Sequence, residues 1–193
     1  MLEYIKGEIA ELSPTAVIID INGLGYEVQI SLLSYSRLQE MKQCILFLHE
    51  IIREDAHLLF GFYSKEEREL FRLLISVSGV GANTARVILS SLTPGELKQA
   101  ISTGNDTLLK QIKGIGAKSA QRIIVDLKDK VGKVDSSSEI FAPADNTNKI
   151  EALSALEVLG FSKKHSEKTI DKLIAENSSL SVEDLIKQAL KLL

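Results

Sequence analysis

Hydrophobic and polar residues alternate along the first third of the chain. Tyr26, Val28 and Ile30 alternate with Glu27 and Gln29, which is the period-two pattern of a half-buried strand. The other strand candidates are the apolar runs at 17–21 and 45–52, the alternating residues Leu58, Phe60 and Phe62, and a weaker segment at 5–12. An Asn-Gly pair at 22–23 signals a hairpin turn, and residues 34–41 suit a short helix. Five strands within residues 1–64 predict a small closed barrel, of the OB-fold type.

The spacing becomes helical over residues 65–132. Leu70, Leu73, Leu74 and Val77 fall on one face of a first helix. The segment Thr93-Pro94-Gly95-Glu96 is a capping box with proline at the first helical position, so a helix begins there. Asn105 or Asp106 caps the next helix, and a last helix carries Ile123, Ile124, Leu127 and Val131 on its apolar face. This pattern predicts a purely helical domain.

Apolar periodicity is lost over residues 133–148 and returns over 149–193. The first segment contains three consecutive serines at 136–138 and Pro143, a composition typical of a flexible linker. In the second, Ser162 and Ser181 are candidate N-caps and Gly160 is a candidate helix stop. Two apolar stripes are expected there, made of Ile150, Leu153, Leu156 and Leu159, and of Leu185, Ile186, Ala189 and Leu190. The fold class predicted is therefore multidomain α+β: barrel, helical domain, linker and three-helix bundle.

The helical region contains the same short motif twice, thirty-five positions apart. The first copy has Gly79-Val80-Gly81 followed by Asn83 and Thr84, and the second has Gly114-Ile115-Gly116 followed by Lys118, Ser119 and Arg122. Each copy follows one amphipathic segment and opens another, which predicts a helix-hairpin-helix. The glycines allow a tight turn and leave no Cβ before a ligand, while the next helix presents free N–H groups and its positive dipole end. Phosphate suits such a site, so two copies predict a clamp on a nucleic-acid backbone.

Other interpretations of these glycines are weaker. A dinucleotide-binding fingerprint needs Gly-x-Gly-x-x-Gly/Ala after a strand, whereas both copies follow helical segments. A P-loop needs glycine directly before Lys-Ser/Thr, and Gly116-Ala117-Lys118-Ser119 is one residue out of place. Two glycine caps between packed helices would be the purely structural alternative. The duplication, with polar or basic residues after each turn, favours DNA binding.

Charge is distributed unevenly along the chain. The formal net charge is −3, which does not by itself suggest a nucleic-acid partner. The barrel has 4 Lys/Arg against 9 Asp/Glu, whereas residues 65–132 have 11 against 7 and the bundle has 7 of each. The excess of positive charge therefore coincides with the two hairpins. The acidic barrel surface is not expected to be a general DNA-binding face.

The sequence offers little other chemistry. Cys44 is the single cysteine, lies in an apolar run and is expected to be a buried core thiol that forms no disulfide. His49, His57 and His165 show no ligand spacing, so neither a metal site nor a cofactor is expected. There is no leader-like opening and no apolar stretch of membrane-spanning length, so we expect a soluble cytoplasmic protein without a membrane partner.

Four short motifs give the chain a resemblance that extends along its whole length. They are Gly23-Leu24-Gly25-Tyr26-Glu27-Val28, Arg53-Glu54-Asp55-Ala56, Leu59-Phe60-Gly61-Phe62 and Gly114-Ile115-Gly116. With the order of domains, they resemble the RuvA family of bacterial Holliday-junction-binding proteins. The resemblance implies a homotetramer on an open four-way junction, with a possible octamer of two facing tetramers. It also implies that both hairpins hold the DNA arms through the minor groove.

The resemblance further implies two other roles. Glu54 and Asp55, between the fourth and fifth strands, would form an acidic pin at the centre of the junction, although acids at a strand connection are ordinarily just solvated. The C-terminal bundle would dock the hexameric ATPase RuvB, which drives branch migration, and the endonuclease RuvC would resolve the junction. Leu159 and Phe161 are candidate contacts for the ATPase if they are exposed, and core residues if they are not.

Two departures from the family and three rival functions stay open at this level. The family often has arginine near the fifth or sixth position, and Lys6 is the nearest basic residue here. Asn83 and Thr84 stand where many members of the family carry lysine, so the second hairpin, with Lys118 and Arg122, is expected to make the stronger electrostatic contact. A helix-hairpin-helix glycosylase would need a catalytic acid such as Asp126 or Asp129. A metal-dependent nuclease would need more acids than the pin supplies. A general structure-specific adaptor would recruit another partner through the bundle.

Overall fold

The computed structural model describes residues 1–132, 144–177 and 180–193. The chain divides into two compact units, residues 1–138 and residues 139–193. The first unit contains the barrel and the helical domain, and the second contains the C-terminal helices. Most of the predicted linker, residues 133–143, lies outside the described residues, and a helix already begins at Ala144 within its predicted end.

Five strands form the predicted closed barrel. They are β1 (Tyr4–Leu12), β2 (Ala16–Ile21), β3 (Leu24–Ile30), β4 (Gln43–Ile52) and β5 (His57–Phe62), and they close in the order β1-β2-β3-β5-β4. Neighbouring strands are antiparallel except β3 and β5, which are parallel. Helix α1 (Leu32–Leu38) joins β3 to β4 and begins earlier than predicted, because the hydroxyl of Ser31 accepts a hydrogen bond from the N–H of Ser34 and caps it. The OB-type architecture predicted from the alternation is confirmed.

The turn between β2 and β3 is the predicted Asn-Gly hairpin. Asn22 has φ 52° and Gly23 has φ 88°, and positive φ at both central residues is the signature of a type I′ turn. Strands β2 and β3 pair up to the turn, where Ile21 is opposite Leu24. The barrel interior is filled by buried apolar side chains, among them Cys44. Burial raises the pKa of the Cys44 thiol to about 11, so this residue is the expected core thiol.

Strand β5 differs from the half-buried strand that the alternation of Leu58, Phe60 and Phe62 predicted. Both of its faces are covered: Leu59 belongs to the barrel core, whereas Phe60 and Phe62 belong to the core of the helical domain. The rings of Phe60 and Phe62 lie with their centroids 5.2 and 4.8 Å from that of Phe71. The regular alternation identified the strand correctly, but the aromatic face packs on a helix instead of filling the barrel.

Five helices make up the helical domain. They are α2 (Lys65–Ile75), α3 (Ala82–Ser91), α4 (Pro94–Thr103), α5 (Asp106–Lys110) and α6 (Ala117–Val131). The predicted capping box is present, because the N–H of Thr93 donates to Glu96 Oε2 at 2.8 Å and the N–H of Glu96 donates to Thr93 Oγ1 at 3.3 Å. Asn105, and not Asp106, caps α5 by accepting from the N–H of Leu108. Apolar residues of all five helices share one core, including the predicted faces of the first and last helix.

Polar contacts also join the barrel to the helical domain. Glu67 on α2 is only 1% exposed, and its carboxylate accepts hydrogen bonds from the hydroxyls of Ser31 and, at 2.8 Å, Ser34. Burial raises the pKa of Glu67, and the two serine hydroxyls oppose that shift. The next residue, Arg68, pairs with the carboxylate of Glu3 at 2.6 Å. The start of α2 is therefore held to α1 and to the N-terminal segment as well as to β5.

The second unit contains the three predicted C-terminal helices, α7 (Ala144–Val158), α8 (Lys163–Glu176) and α9 (Val182–Leu192). Gly160, at φ 95°, follows the end of α7 as predicted, and Ser181 caps α9 through the N–H of Asp184. Ser162 precedes α8, but its side chain makes no capping hydrogen bond. The predicted stripes are only half correct: Leu153, Leu156, Leu185 and Ala189 are buried and Ile186 is half-buried, whereas Ile150, Leu159 and Leu190 are exposed.

Candidate nucleic-acid interface

The first hairpin joins α2 to α3. Gly79 has φ 90°, in the left-handed region that costs an L-residue with a side chain about 1–2 kcal/mol. The side chain of Val80 is buried in the helical core, and its N–H donates to the carbonyl of Val77 at 3.0 Å. Gly81 is the N-cap of α3, at φ −83° and ψ 168°. The turn is thus fixed from inside by one aliphatic side chain, while its two glycines stay exposed.

The second hairpin, between α5 and α6, repeats this geometry. Gly114 has φ 91°, Ile115 is buried with its N–H 3.0 Å from the carbonyl of Ile112, and Gly116 caps α6 at φ −87° and ψ 169°. A Cβ placed on any of the four hairpin glycines would meet no described atom within 4 Å. The repeated sequence motif is therefore a repeated backbone structure, and the outer side of each turn is open.

The helices that follow the hairpins have unprotected N-termini. No side chain caps α3 or α6, and neither helix has an acidic residue in its first turn. The other three helices of the helical domain, α2, α4 and α5, each have a capping side chain and an acidic residue in the first turn. Their caps are Ser64, Thr93 and Asn105. The first N–H groups of α3 and α6 are therefore not satisfied by their own helix, and their positive dipole ends are not balanced locally. Both features favour an anion.

The side chains that follow the turns differ between the two copies. Asn83 and Lys118 occupy equivalent positions and are exposed, and Thr84 and Ser119 are half-buried beside them. Arg122 is exposed but has a protein partner: its Nη1 donates to the carbonyl oxygen of Ser78 at 3.0 Å. The prediction of Arg122 as a simple phosphate ligand of the second hairpin did not anticipate this contact.

Arg86 on α3 contacts the barrel. Its Nη1 donates to the carbonyl oxygen of Thr15 in the barrel at 3.0 Å, and burial lowers the pKa of its guanidinium. The bonds of Arg86 and Arg122 could not be predicted from the sequence, because their partners lie 71 and 44 positions away and no local pattern marks them. Asp126 and Asp129, the acids that a glycosylase would need, are exposed on α6.

The acidic residues predicted as a pin lie in the connection between β4 and β5, as expected. Glu54 and Asp55 are both exposed, and the N–H of Arg53 donates to the carbonyl of Ala56 at 2.8 Å across the base of the turn. The carboxylates therefore project from a short, closed loop at one end of the barrel.

The candidate partner contacts in the bundle separate into two kinds. Leu159 is 57% exposed just after α7, whereas Phe161 is half-buried and packs against the bundle core. Val158, which sequence analysis did not single out, is 86% exposed at the end of α7. An apolar pair, Val158 and Leu159, therefore faces solvent in this unit.

Over the ranges that the structure describes, no group of three or more His, Cys, Asp or Glu residues could hold a metal ion. In the same part of the chain, no helix combines the length and the apolar character needed to cross a bilayer.

Comparisons with known proteins cover the same three regions. Residues 1–61 match the family model described as the RuvA N terminal domain, 71–129 match the SAM-like helix-hairpin-helix tandem, and 150–193 match the RuvA C-terminal domain.

Several relatives are similar over their full length, and each is named Holliday junction branch migration complex subunit RuvA. The protein of Christiangramia forsetii is 48% identical over 191 residues and that of Bacteroides fragilis 53% over 199 residues, with 99% of both chains covered in each case. The protein of Azobacteroides pseudotrichonymphae is 50% identical over 196 residues, with both chains fully covered. Relatives of this identity and coverage show that the chain belongs to the RuvA family.

Proposed function

We propose that this protein is the DNA-binding, non-catalytic subunit of a complex that migrates Holliday junctions in recombination and repair. The observation that carries the proposal is the pair of hairpins with equal backbone geometry, each followed by a helix whose N-terminus has neither a capping side chain nor an acid. The names of the full-length relatives support the same function.

Each hairpin binds one stretch of DNA backbone. A phosphate oxygen accepts hydrogen bonds from the N–H groups at the start of α3 or α6, and charge-assisted bonds of this kind are worth about 1.5–3 kcal/mol each. Lys118 adds a positive side chain at the second hairpin. Phosphate contacts carry no base information, so binding is independent of sequence. A crossover that moves through homologous DNA requires this property.

Selectivity for the junction comes from assembly. Four copies around one four-way junction form a homotetramer that holds the arms open, and a second tetramer can face the first to make an octamer. Around the four-fold axis, Glu54 and Asp55 of each copy meet at the crossover and repel phosphates. One such repulsion is worth only about 1 kcal/mol at 4 Å in water, so the effect depends on its repetition around the axis.

The energy for migration comes from a partner. The sequence contains no P-loop, so the hexameric ATPase RuvB supplies the work, and residues 149–193 dock it. The exposed Leu159, with its neighbour Val158, is the contact we assign to that docking. The endonuclease RuvC then resolves the junction.

A binding comparison tests the core of this proposal. The purified protein is titrated against a synthetic four-way junction and against linear duplex of equal length, in gel shift, with unrelated sequences in both forms. We expect a clear preference for the junction, little dependence on sequence, and a mass in solution that fits four chains. Binding should weaken with salt, since log K falls by about 0.9 per phosphate neutralised per tenfold salt. Equal affinity for junction and duplex would exclude the proposed function.

A further inference from the structure

The first hairpin has no cation of its own. Asn83 occupies the position that Lys118 holds in the second hairpin, and Val87 the position that Arg122 holds. Arg86 is the single basic residue in the sequence of α3, and it donates to Thr15 in the barrel. A phosphate at the first hairpin would therefore meet backbone N–H groups but no positive side chain from the same motif.

A cation of the second motif lies at this position instead. Arg122 is in the second turn of α6, yet its guanidinium donates to the carbonyl of Ser78, which directly precedes Gly79. Ser78 is exposed, and so is Arg122, so the charge is at the surface beside the first turn. The bond to Ser78 is made through Nη1, and a guanidinium carries five N–H donors in all.

The contact cannot be reciprocal. The residue of the first motif equivalent to Arg122 is Val87, whose side chain has no hydrogen-bond donor, so α3 cannot return such a bond to the carbonyl of Lys113, the equivalent of Ser78. The two hairpins have equal backbones but are joined by a bond that runs in one direction, from α6 to the first turn. The repeat is therefore symmetric in its backbone and asymmetric in its side chains.

We propose that Arg122 serves the first hairpin. It holds the Ser78–Gly79 turn through the Ser78 carbonyl and supplies the positive charge that Asn83 and Arg86 do not provide there. The first phosphate site is thus composite, with backbone from one motif and its cation from the other. This inference rests on the proposed binding of DNA backbone by the hairpins, but not on the preference for junctions.

Thermodynamic coupling between variants tests the assignment. Gly81→Asp disables the first hairpin and Gly116→Asp the second, because each places a capping carboxylate over the N–H groups, and neither added Cβ meets a described atom within 4 Å. Arg122→Gln is combined with each of them. Affinity is measured at low salt for both junction and linear duplex, so that residual binding stays measurable.

We expect Arg122→Gln alone to weaken binding about tenfold, which corresponds to about 1.4 kcal/mol. In the Gly81→Asp background, adding Arg122→Gln should weaken DNA affinity by less than a further factor of about two, because the site that Arg122 serves is already lost. In the Gly116→Asp background, the same substitution should still weaken affinity about tenfold. Arg122→Lys, which keeps the charge, should recover part of the affinity. A thermal melt of each variant checks that the domain is folded.

Three results would overturn the assignment. If the loss persists with Gly81→Asp and disappears with Gly116→Asp, Arg122 serves its own hairpin. Equal, additive losses in both backgrounds, or no loss in the single variant, would show that Arg122 acts on neither. If wild-type protein binds duplex and junction equally, the junction proposal fails, but the coupling on duplex still assigns Arg122.

Discussion

Gly116→Asp should separate DNA binding from folding. Gly116 is the N-cap of α6 at φ −87° and ψ 169°, an extended conformation that any residue adopts and that capping residues prefer. A Cβ there meets no described atom within 4 Å. An aspartate can therefore enter without strain, accept hydrogen bonds from the free N–H groups of α6, and place a negative charge where we expect the phosphate.

Gly116→Asp should stabilise the folded protein but weaken its binding to DNA. A capping aspartate is better than glycine by a few tenths of a kcal/mol, and its charge at the helix N-terminus adds about 0.3–1 kcal/mol. The melting temperature should therefore rise by about 1–5 °C. DNA loses a charge-assisted bond worth about 1.5–3 kcal/mol and meets a repulsion of about 1 kcal/mol. Together these predict junction binding roughly 100- to 1,000-fold weaker per hairpin.

Thr93→Asp is the matched control. It adds the same charge at the N-terminus of α4, where Thr93 and Glu96 already form a capping box. Junction affinity is measured by fluorescence anisotropy with a labelled four-way junction, and stability by thermal melting. The control should change affinity by less than about twofold. If folded Gly116→Asp bound within about threefold of wild type, the phosphate would not be using the N-terminus of α6.

Three further predictions concern other parts of the chain. Glu54→Gln with Asp55→Asn should leave duplex affinity equal or higher and reduce the preference for the junction; in a competition gel shift, weaker binding to both DNAs would contradict a repulsive role. Removal of residues 133–193 should preserve junction binding and abolish branch migration by the partner ATPase, and migration at the full rate would refute docking on the bundle. Burial raises the pKa of Glu67, so its favourable contribution is complete below the ordinary value of 4.5 and is lost as pH rises through the raised folded value. Glu67→Gln should therefore flatten the decline of stability with rising pH in denaturant unfolding, and an unchanged profile would exclude Glu67 as its source.

The turns and helix caps of this fold could be predicted from the sequence. The Asn22-Gly23 turn, the capping box at Thr93 and the two glycine turns each depend on residues within a few positions of one another. Their geometry follows from backbone preferences, so the motif alone was sufficient. The exposed acidic loop at Glu54 belongs to the same class, because a short connection between two paired strands must lie at an end of the barrel.

Packing and hydrogen bonds between segments that are distant in sequence could not be predicted in this way. A period-two pattern shows that Phe60 and Leu59 point to opposite faces, but not that both faces are covered. Leu159 continues the spacing of a buried stripe and yet is 57% exposed, as is Ile150 within α7, because helical spacing alone does not show where the neighbouring helices pack. The partners of Arg86 and Arg122 depend on how distant segments pack, and this is why the side-chain asymmetry of the two hairpins was visible only in the structure.

Strand β5 has a consequence for how this protein can change over evolutionary time. A fragment ending at residue 64 would expose Phe60 and Phe62 to water, at a cost of about 1.5–3 kcal/mol each, and a fragment beginning at 65 would leave Phe71 without its aromatic neighbours. Barrel and hairpins should thus be inherited and exchanged as a pair. The bundle has a separate core of its own, so natural chimaeras are expected to join beyond residue 132 and not at residue 64.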